Sequence, residues 1–261
     1  QILKLGGSVI TDKSAERIPR KDVIERLARE ISSAKKERDF DLIVVNGAGS
    51  FGHTPVKNFG LKKGIVDEKT RTGFTLVHKY VEDLNRIVWD SLEEEGVLAM
   101  PVHPSSFVVH DDWKIANFET TIIRELLKNK IVPLLYGDMV SDLRQGCSII
   151  SGDDIVPYLA RKLDANRVLM GTNTDGIFDK DPMKHKEAKL ISEINNTNYQ
   201  KVLGGLSGSS QTDVTGGMKE KVKKLVSSVR GTDCLIYNAE KEGLTKKVLL
   251  GEIFGTKISI S

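Results

Sequence analysis

Short apolar runs that end on glycine, each followed by an amphipathic stretch, recur along this chain. That alternation limits its fold more than any other feature. ILKL (2–5) stops at Gly6-Gly7, DLIVV (41–45) leads into NGAGSFGH (46–53), and RVLMGT (167–172) leads into NTDG. Apolar residues recur every three or four positions over 22–34 (Val23, Ile24, Leu27, Ile31, Ala34) and over 72–95 (Phe74, Val77, Val81, Leu84, Val88, Leu92). This is the period of a helix with one buried face, and Gly96 stands where a C-terminal cap belongs. Further strands are expected at 97–102, 131–137, 234–238 and 256–260, further helices at 119–129, 154–163, 218–229 and 243–249, and a hairpin over 139–150. Strands alternating with helices predict an α/β fold whose central sheet is largely parallel and covered on both faces. Such sheets bind ligands beyond the carboxyl ends of their strands, so the glycine turns are expected to converge on one edge.

Composition narrows the function. The 39 basic and 36 acidic side chains nearly balance, at a formal net charge of +3. That argues against a nucleic-acid partner, which calls for a concentrated basic surface. KKER (35–38) and KEKVKK (219–224) read as solvated helix faces. Cys147 and Cys234 lie far apart without metal-ligand spacing, which fits unpaired thiols in a reducing cytoplasm. No run of eighteen apolar residues suggests a membrane span, and QILKLGG lacks a signal-peptide core. The length suits one domain or two intimate lobes.

Several clusters carry potential chemistry. In KLGGS (4–8), two glycines after a strand let backbone N–H groups approach an anion. Lys4 sits inside an apolar strand, where an ammonium is costly unless it meets a partner or ligand; the alternative is an edge strand open to water. Lys13, in the following loop, is a candidate mobile phosphate clamp. Gly47, Gly49 and Gly52 fit the dinucleotide fingerprint G-x-G-x-x-G, which requires a helix opening directly from the turn. Pro55 and Gly60 are expected to interrupt that helix, with the next good one near 72. A shallow anion-binding loop ending at His53 is therefore preferred to an NAD site. SGDD (151–154) opens a helix, where Asp153 or Asp154 serves either as a cap or as an acid that orients lysines. Asp175 and Gly176 stand at a strand end, consistent with turn chemistry or nucleotide contact. Gly216-Gly217 precede a helix whose N-terminus attracts phosphate. Lys219 and Lys221 follow at once, where the helix dipole disfavours cations unless an anion binds. There is no P-loop, protein-kinase set, H-E-x-x-H or G-x-S-x-G, and no metal-ligand spacing among the five histidines.

KLGGSVIT, VVNGAGSFGH, ISGDD, TNTDGIF and DVTGGMKEK occur in the order seen in the amino acid kinase superfamily. The chain resembles most the isopentenyl phosphate kinases of that superfamily, the histidine ending GAGSFGH being the discriminating mark. The resemblance covers nearly the whole chain and implies a three-layer αβα sandwich forming one domain over 1–261. The lobe of about 1–150 would bind the phosphate acceptor and that of about 151–261 would bind ATP. It implies a homodimer and Mg²⁺ alongside ATP, with no metal held by protein ligands. By motif, Lys4, Gly6, Gly7, Ser8 and Gly49 are expected at the ATP phosphates, and Asp175, Gly217 and Lys221 at the nucleotide. Ala48, Gly49, His53 and Gly152 are expected at the acceptor phosphate. Lys13 would stabilise the group in transfer and Asp153 would position the lysines. Asn46 departs from the histidine frequent in relatives. The implied reaction is in-line phosphorylation of isopentenyl phosphate to isopentenyl diphosphate. Phe74, Val77, Ile149 and Ile150 are candidates for the apolar tail. The rivals are a kinase of the same fold acting on a fosfomycin-type or other phosphate or phosphonate acceptor, a non-catalytic nucleotide sensor or storage protein, and an NAD oxidoreductase.

Overall fold

A computed structural model describes residues 1–12, 14–180, 182, 184–206, 217–228 and 231–260. In chain order the strands are β1 (Ile2–Leu5), β2 (Ile43–Asn46), β3 (Ala99–Pro101), β4 (Val108–Asp111), β5 (Lys114–Phe118), β6 (Val132–Tyr136), β7 (Asp138–Asp142), β8 (Gly146–Ile150), β9 (Arg167–Thr172), β10 (Ile177–Phe178), β11 (Leu190–Ile191), β12 (Glu193–Asn195), β13 (Asp233–Asn238) and β14 (Thr256–Ser259). The α-helices are α1 (Gly7–Ile10), α2 (Lys21–Glu37), α3 (Gly49–Phe59), α4 (Glu68–Glu94), α5 (Thr121–Lys128), α6 (Gly152–Lys162), α7 (Tyr199–Gly205), α8 (Gly217–Ser228) and α9 (Leu244–Leu249).

Eight strands form the main sheet in the order β12-β14-β13-β9-β1-β2-β6-β3. All neighbours run parallel except β13 and β14. Strand residues alternate between faces, and the alternation sorts the core into two layers. Leu3, Leu5, Val44, Leu134 and Leu169 pack with α2, α3, α4 and α9. Ile2, Ile43, Val45, Leu135 and Val168 pack with α5, α6 and α8. Helix, sheet and helix thus make the three layers. Lys4 shares the face of Ile2, which turns it toward α6. Strand order reverses at β1, with β2 on one side and β9 on the other. This is the switch point beyond which α/β sheets hold ligands.

A second sheet, ordered β5-β4-β7-β8, carries the hairpin expected over 139–150 as the antiparallel pair β7 and β8. The hairpin β4–β5 was not anticipated, because its turn residues Asp112 and Trp113 carry no glycine or asparagine signal. Both have positive φ, 53° and 66°, and their N–H groups donate to the Asp142 carboxylate at 3.3 and 2.9 Å. A side chain thirty residues away thus holds the turn. Helix α4 is capped by Asp67, which accepts from the Thr70 backbone N–H at 2.8 Å. Among the described residues, no helix is long and apolar enough to cross a membrane.

Candidate active site

The turns after β1, β2 and β9 meet at the carboxyl edge and interlock. The Gly6 N–H donates to the Gly171 carbonyl at 3.0 Å, and that of Gly47 to the Leu5 carbonyl at 2.8 Å. A Cβ placed on Gly7 would lie 2.4 Å from the Gly49 nitrogen, and one on Gly47 would lie 2.5 Å from the Gly7 nitrogen. Only glycine lets these two chains come so close. Thr11 ties the cradle together: its hydroxyl donates to the Gly7 carbonyl at 2.7 Å and accepts from the Ser50 N–H at 3.1 Å. Motif reading overlooked Thr11, since a lone threonine ending a four-residue helix carries no local signal. Ser8 donates to the Asn173 side chain at 3.2 Å, which links the first turn to the loop after β9.

Helix α3 begins at Gly49 itself, with Ala48 as its N-terminal cap residue. The expectation that Pro55 and Gly60 interrupt the chain here is corrected. Pro55 lies inside α3, where its missing N–H removes one helical bond, and Gly60, at φ 73°, ends the helix as a left-handed cap. The glycine spacing therefore does open a helix, as a dinucleotide site also would, and cannot by itself separate the two chemistries. His53 stands half-buried on the second turn of α3.

The separation comes from charge. Asp153, in the first turn of α6, is buried between two lysines from distant parts of the chain. Its Oδ1 takes Lys4 Nζ at 2.6 Å, and Lys221 Nζ of α8 reaches Oδ1 and Oδ2 at 2.8 and 2.9 Å. Burial alone would raise the Asp153 pKa, but the two ammonium groups hold it well below the usual carboxylate range. Burial pushes Lys4 down, with Asp153 opposing and Lys221 adding to the depression. Strand β1 is central and Lys4 only 6% exposed, so the edge-strand alternative is excluded. The two roles weighed for the SGDD carboxylates fall to different residues. Asp154 accepts from the Ser151 N–H at 3.0 Å and hydroxyl at 2.5 Å, and pairs with Lys224 at 2.5 Å. A Cβ on Gly152 would meet Lys4 Cε at 3.0 Å, so the start of α6 lies against the lysine.

Helix α8 begins at Gly217, which puts Lys219 in its first turn and Lys221 just beyond. Lys221 is held by Asp153, the acid expected to position the lysines. Asp175 is not joined to the lysine pair. It accepts from Asn238 Nδ2 at 2.9 Å and pairs with Lys241 Nζ at 2.7 Å. Lys13 lies outside the described residues, as do 213–216 of DVTGGMKEK. Asn46, fully buried at the end of β2, accepts from Asn85 Nδ2 of α4 at 2.7 Å, which anchors the strand before its glycine turn. Of the tail candidates, Phe74, Val77 and Ile149 belong to the α4 side of the core. Ile150, one position further along β8, packs in the opposite layer. Among the described residues, no three His, Cys, Asp or Glu side chains gather as a metal site.

The model of the amino acid kinase family matches residues 1–238. The isopentenyl phosphate kinase of Methanocaldococcus jannaschii is 40% identical, the alignment covering 100% of this chain and 98% of that one. The isopentenyl phosphate kinase of Methanothermobacter thermautotrophicus is 38% identical, with 99% and 98% covered. A crystal structure of an isopentenyl phosphate kinase superposes with a TM-score of 0.86 at 35% identity, covering 99% of each chain.

Proposed function

Because the chain belongs to the amino acid kinase family, and within it to the isopentenyl phosphate kinases, we propose that it transfers the γ-phosphoryl group of ATP to isopentenyl phosphate, forming isopentenyl diphosphate and ADP. The observation that carries this function is the buried Lys4–Asp153–Lys221 cluster beside interlocked glycine turns. Hydride transfer has no use for two ammonium groups held at a phosphate cradle; phosphoryl transfer between two polyanions does.

In this scheme the acceptor's phosphate oxygen attacks the γ-phosphorus in line. A phosphate monoester has its second pKa near about 6, so the nucleophile is already anionic at neutral pH and needs no strong base. Catalysis reduces to positioning and charge neutralisation. The N–H groups of Gly7, Ser8 and Gly49 cradle the ATP phosphates, and Gly6, whose own N–H is held by the Gly171 carbonyl, lets the turn approach them. Asp175 and Gly217 take the nucleotide, and Lys221 works with Lys4 at the phosphates. Ala48, Gly49, His53 and Gly152 hold the acceptor phosphate, with an N–H or imidazole donor at each contact. Lys13 neutralises the group in flight. Asp153 keeps both lysines charged and aimed, and touches neither substrate. Its oxygens are spent on lysines, so it is not free to ligate a metal; Mg²⁺ would be held by ATP oxygens and would shield their charge.

Residues about 1–150 carry most of the acceptor site and about 151–261 bind the nucleotide, the two phosphate groups meeting over the turns of β1, β2 and α6 where the lobes join. The buried, unpaired thiols of Cys147 and Cys234 support a cytoplasmic setting. The exposed Leu98 and Met100 at the edge strand β3 support a homodimer. The deciding experiment is ADP release from Mg-ATP with isopentenyl phosphate as acceptor. Faster release with a phosphonate such as fosfomycin, or ATP binding without turnover, would overturn the proposal.

A further inference from the structure

At the opposite edge of the main sheet, by the amino ends of β9 and β13, a cleft of about 290 Å³ opens. Arg167 starts β9 and pairs in register with Asp233, which starts β13. Arg38 follows α2, Lys257 lies on β14, and all four side chains line the cleft. Five residue steps along β9, at about 3.3 Å each, place it roughly 17 Å from the carboxyl edge. No residue assigned to phosphoryl transfer lines it.

The charges there do not cancel. Asp233 faces Lys257 at 3.2 Å. Arg38 and Arg167 donate instead to main-chain carbonyls at the end of α9, Leu249 O at 2.9 Å and Val248 O at 2.7 Å. Each bond uses one of the five N–H donors of a guanidinium. Burial lowers the Arg167 pKa; Asp233 pulls it back up, and the nearby Arg38 charge lowers it again to a lesser degree. Two guanidiniums whose hydrogen bonds go to neutral carbonyls, with one carboxylate near three cations, leave room for an added anion, and the planar guanidinium fork suits phosphate oxygens. The cleft also has an apolar side, formed by Leu235 and by Ile253, which is 59% exposed. Its volume lies at the lower limit of ligand pockets, so the occupant is small.

We propose that this cleft binds a small organic phosphate, its head held by Arg38 and Arg167 and its short apolar body resting on Leu235 and Ile253. A dianionic head answers two guanidiniums more fully than a carboxylate would.

Titration calorimetry with butyl phosphate on the full chain tests this. Two classes of site are expected, one at each edge of the sheet. Arg38→Gln and Arg167→Gln should each weaken the second class at least tenfold while leaving kcat/KM for isopentenyl phosphate unchanged. His53→Ala should affect only the first class, so loss of the catalytic assignment would be seen separately. If either arginine variant fails to fold, Lys257→Gln on the rim should weaken the second class several-fold. A single class that disappears in His53→Ala overturns the proposal. So does a second class that persists in arginine variants whose melting temperature has dropped, since the guanidiniums would then merely cap α9. Hexanoate binding as tightly as butyl phosphate would overturn the phosphate assignment.

Discussion

Replacing Asp153 by Asn removes one negative charge while nearly preserving shape. The carboxylate holds Lys4 Nζ at 2.6 Å and Lys221 Nζ at 2.8 and 2.9 Å. Without it, two ammonium groups share a site where Lys4 is almost fully buried. Breaking a buried ion pair from one side costs about 3–5 kcal/mol. At this chain length each kcal/mol moves Tm by about 2–4 °C, so a fall of roughly 6–20 °C is expected. A second effect falls on catalysis. Burial and Lys221 both depress the Lys4 pKa, and Asp153 opposes them. In Asp153→Asn the pKa therefore drops further, and Lys4 loses its proton at a lower pH. A hydrogen bond from a charged donor is worth about 1.5–3 kcal/mol, so a neutral Lys4 should slow turnover roughly 10- to 150-fold. The assay is kcat for ADP release from about pH 6 to 9, alongside thermal denaturation. The alkaline limb of the profile should move to lower pH in the variant, with part of the lost rate recovered on acidification. An unmoved limb would reduce Asp153 to a structural role, and an undiminished kcat would refute the charge argument altogether.

Gly49→Ala combines a φ of +50° with a Cβ 2.2 Å from Thr11 Oγ1. Left-handed strain of about 1–2 kcal/mol and overpacking of about 1–3 kcal/mol should lower the urea midpoint clearly; an unchanged midpoint would mean the cradle relaxes freely. His53→Ala should raise KM for isopentenyl phosphate while leaving ATP affinity in place, and normal acceptor kinetics would remove His53 from the site. Lys13→Ala should lower kcat more than ATP affinity, and intact turnover would count against its role in transfer. His78 Nδ1 meets the buried Asp138 carboxylate at 2.9 Å, a bond that raises the histidine's pKa against the effect of burial. Its stabilisation is complete below the unfolded value near about 6.5 and is lost as pH rises through the higher folded value. His78→Gln should flatten the fall in Tm between about pH 6 and 8, and equal slopes would show the bond to be inert.

Much of this molecule is set by neighbours in the chain. The 3.6-residue period marks α2 and α4, and apolar runs mark β1, β2, β6, β9 and β13, because burial on one face or two imposes that spacing locally. The glycines of KLGGS and NGAGSFGH were legible for the same reason, although their tightest constraint is one chain meeting another, as Gly7 meets Gly49. Distance along the chain hid the rest. The Asp112-Trp113 turn depends on Asp142, and the Glu30 carboxylate of α2 accepts from backbone N–H groups of Gly243 and Thr245 at 2.9 Å. The union of Lys4, Asp153 and Lys221 was legible only through the family resemblance, which had Asp153 positioning the lysines; residue pattern alone left Asp153 and Asp154 undecided, since 149 residues separate Lys4 from Asp153. Sequence alone determined the main strands and the long helices and where glycine must stand. Tertiary structure alone decided that the odd cation in β1 faces α6 and finds its counter-charge there, because Coulomb partners are chosen by proximity in space, which only the packed sheet creates.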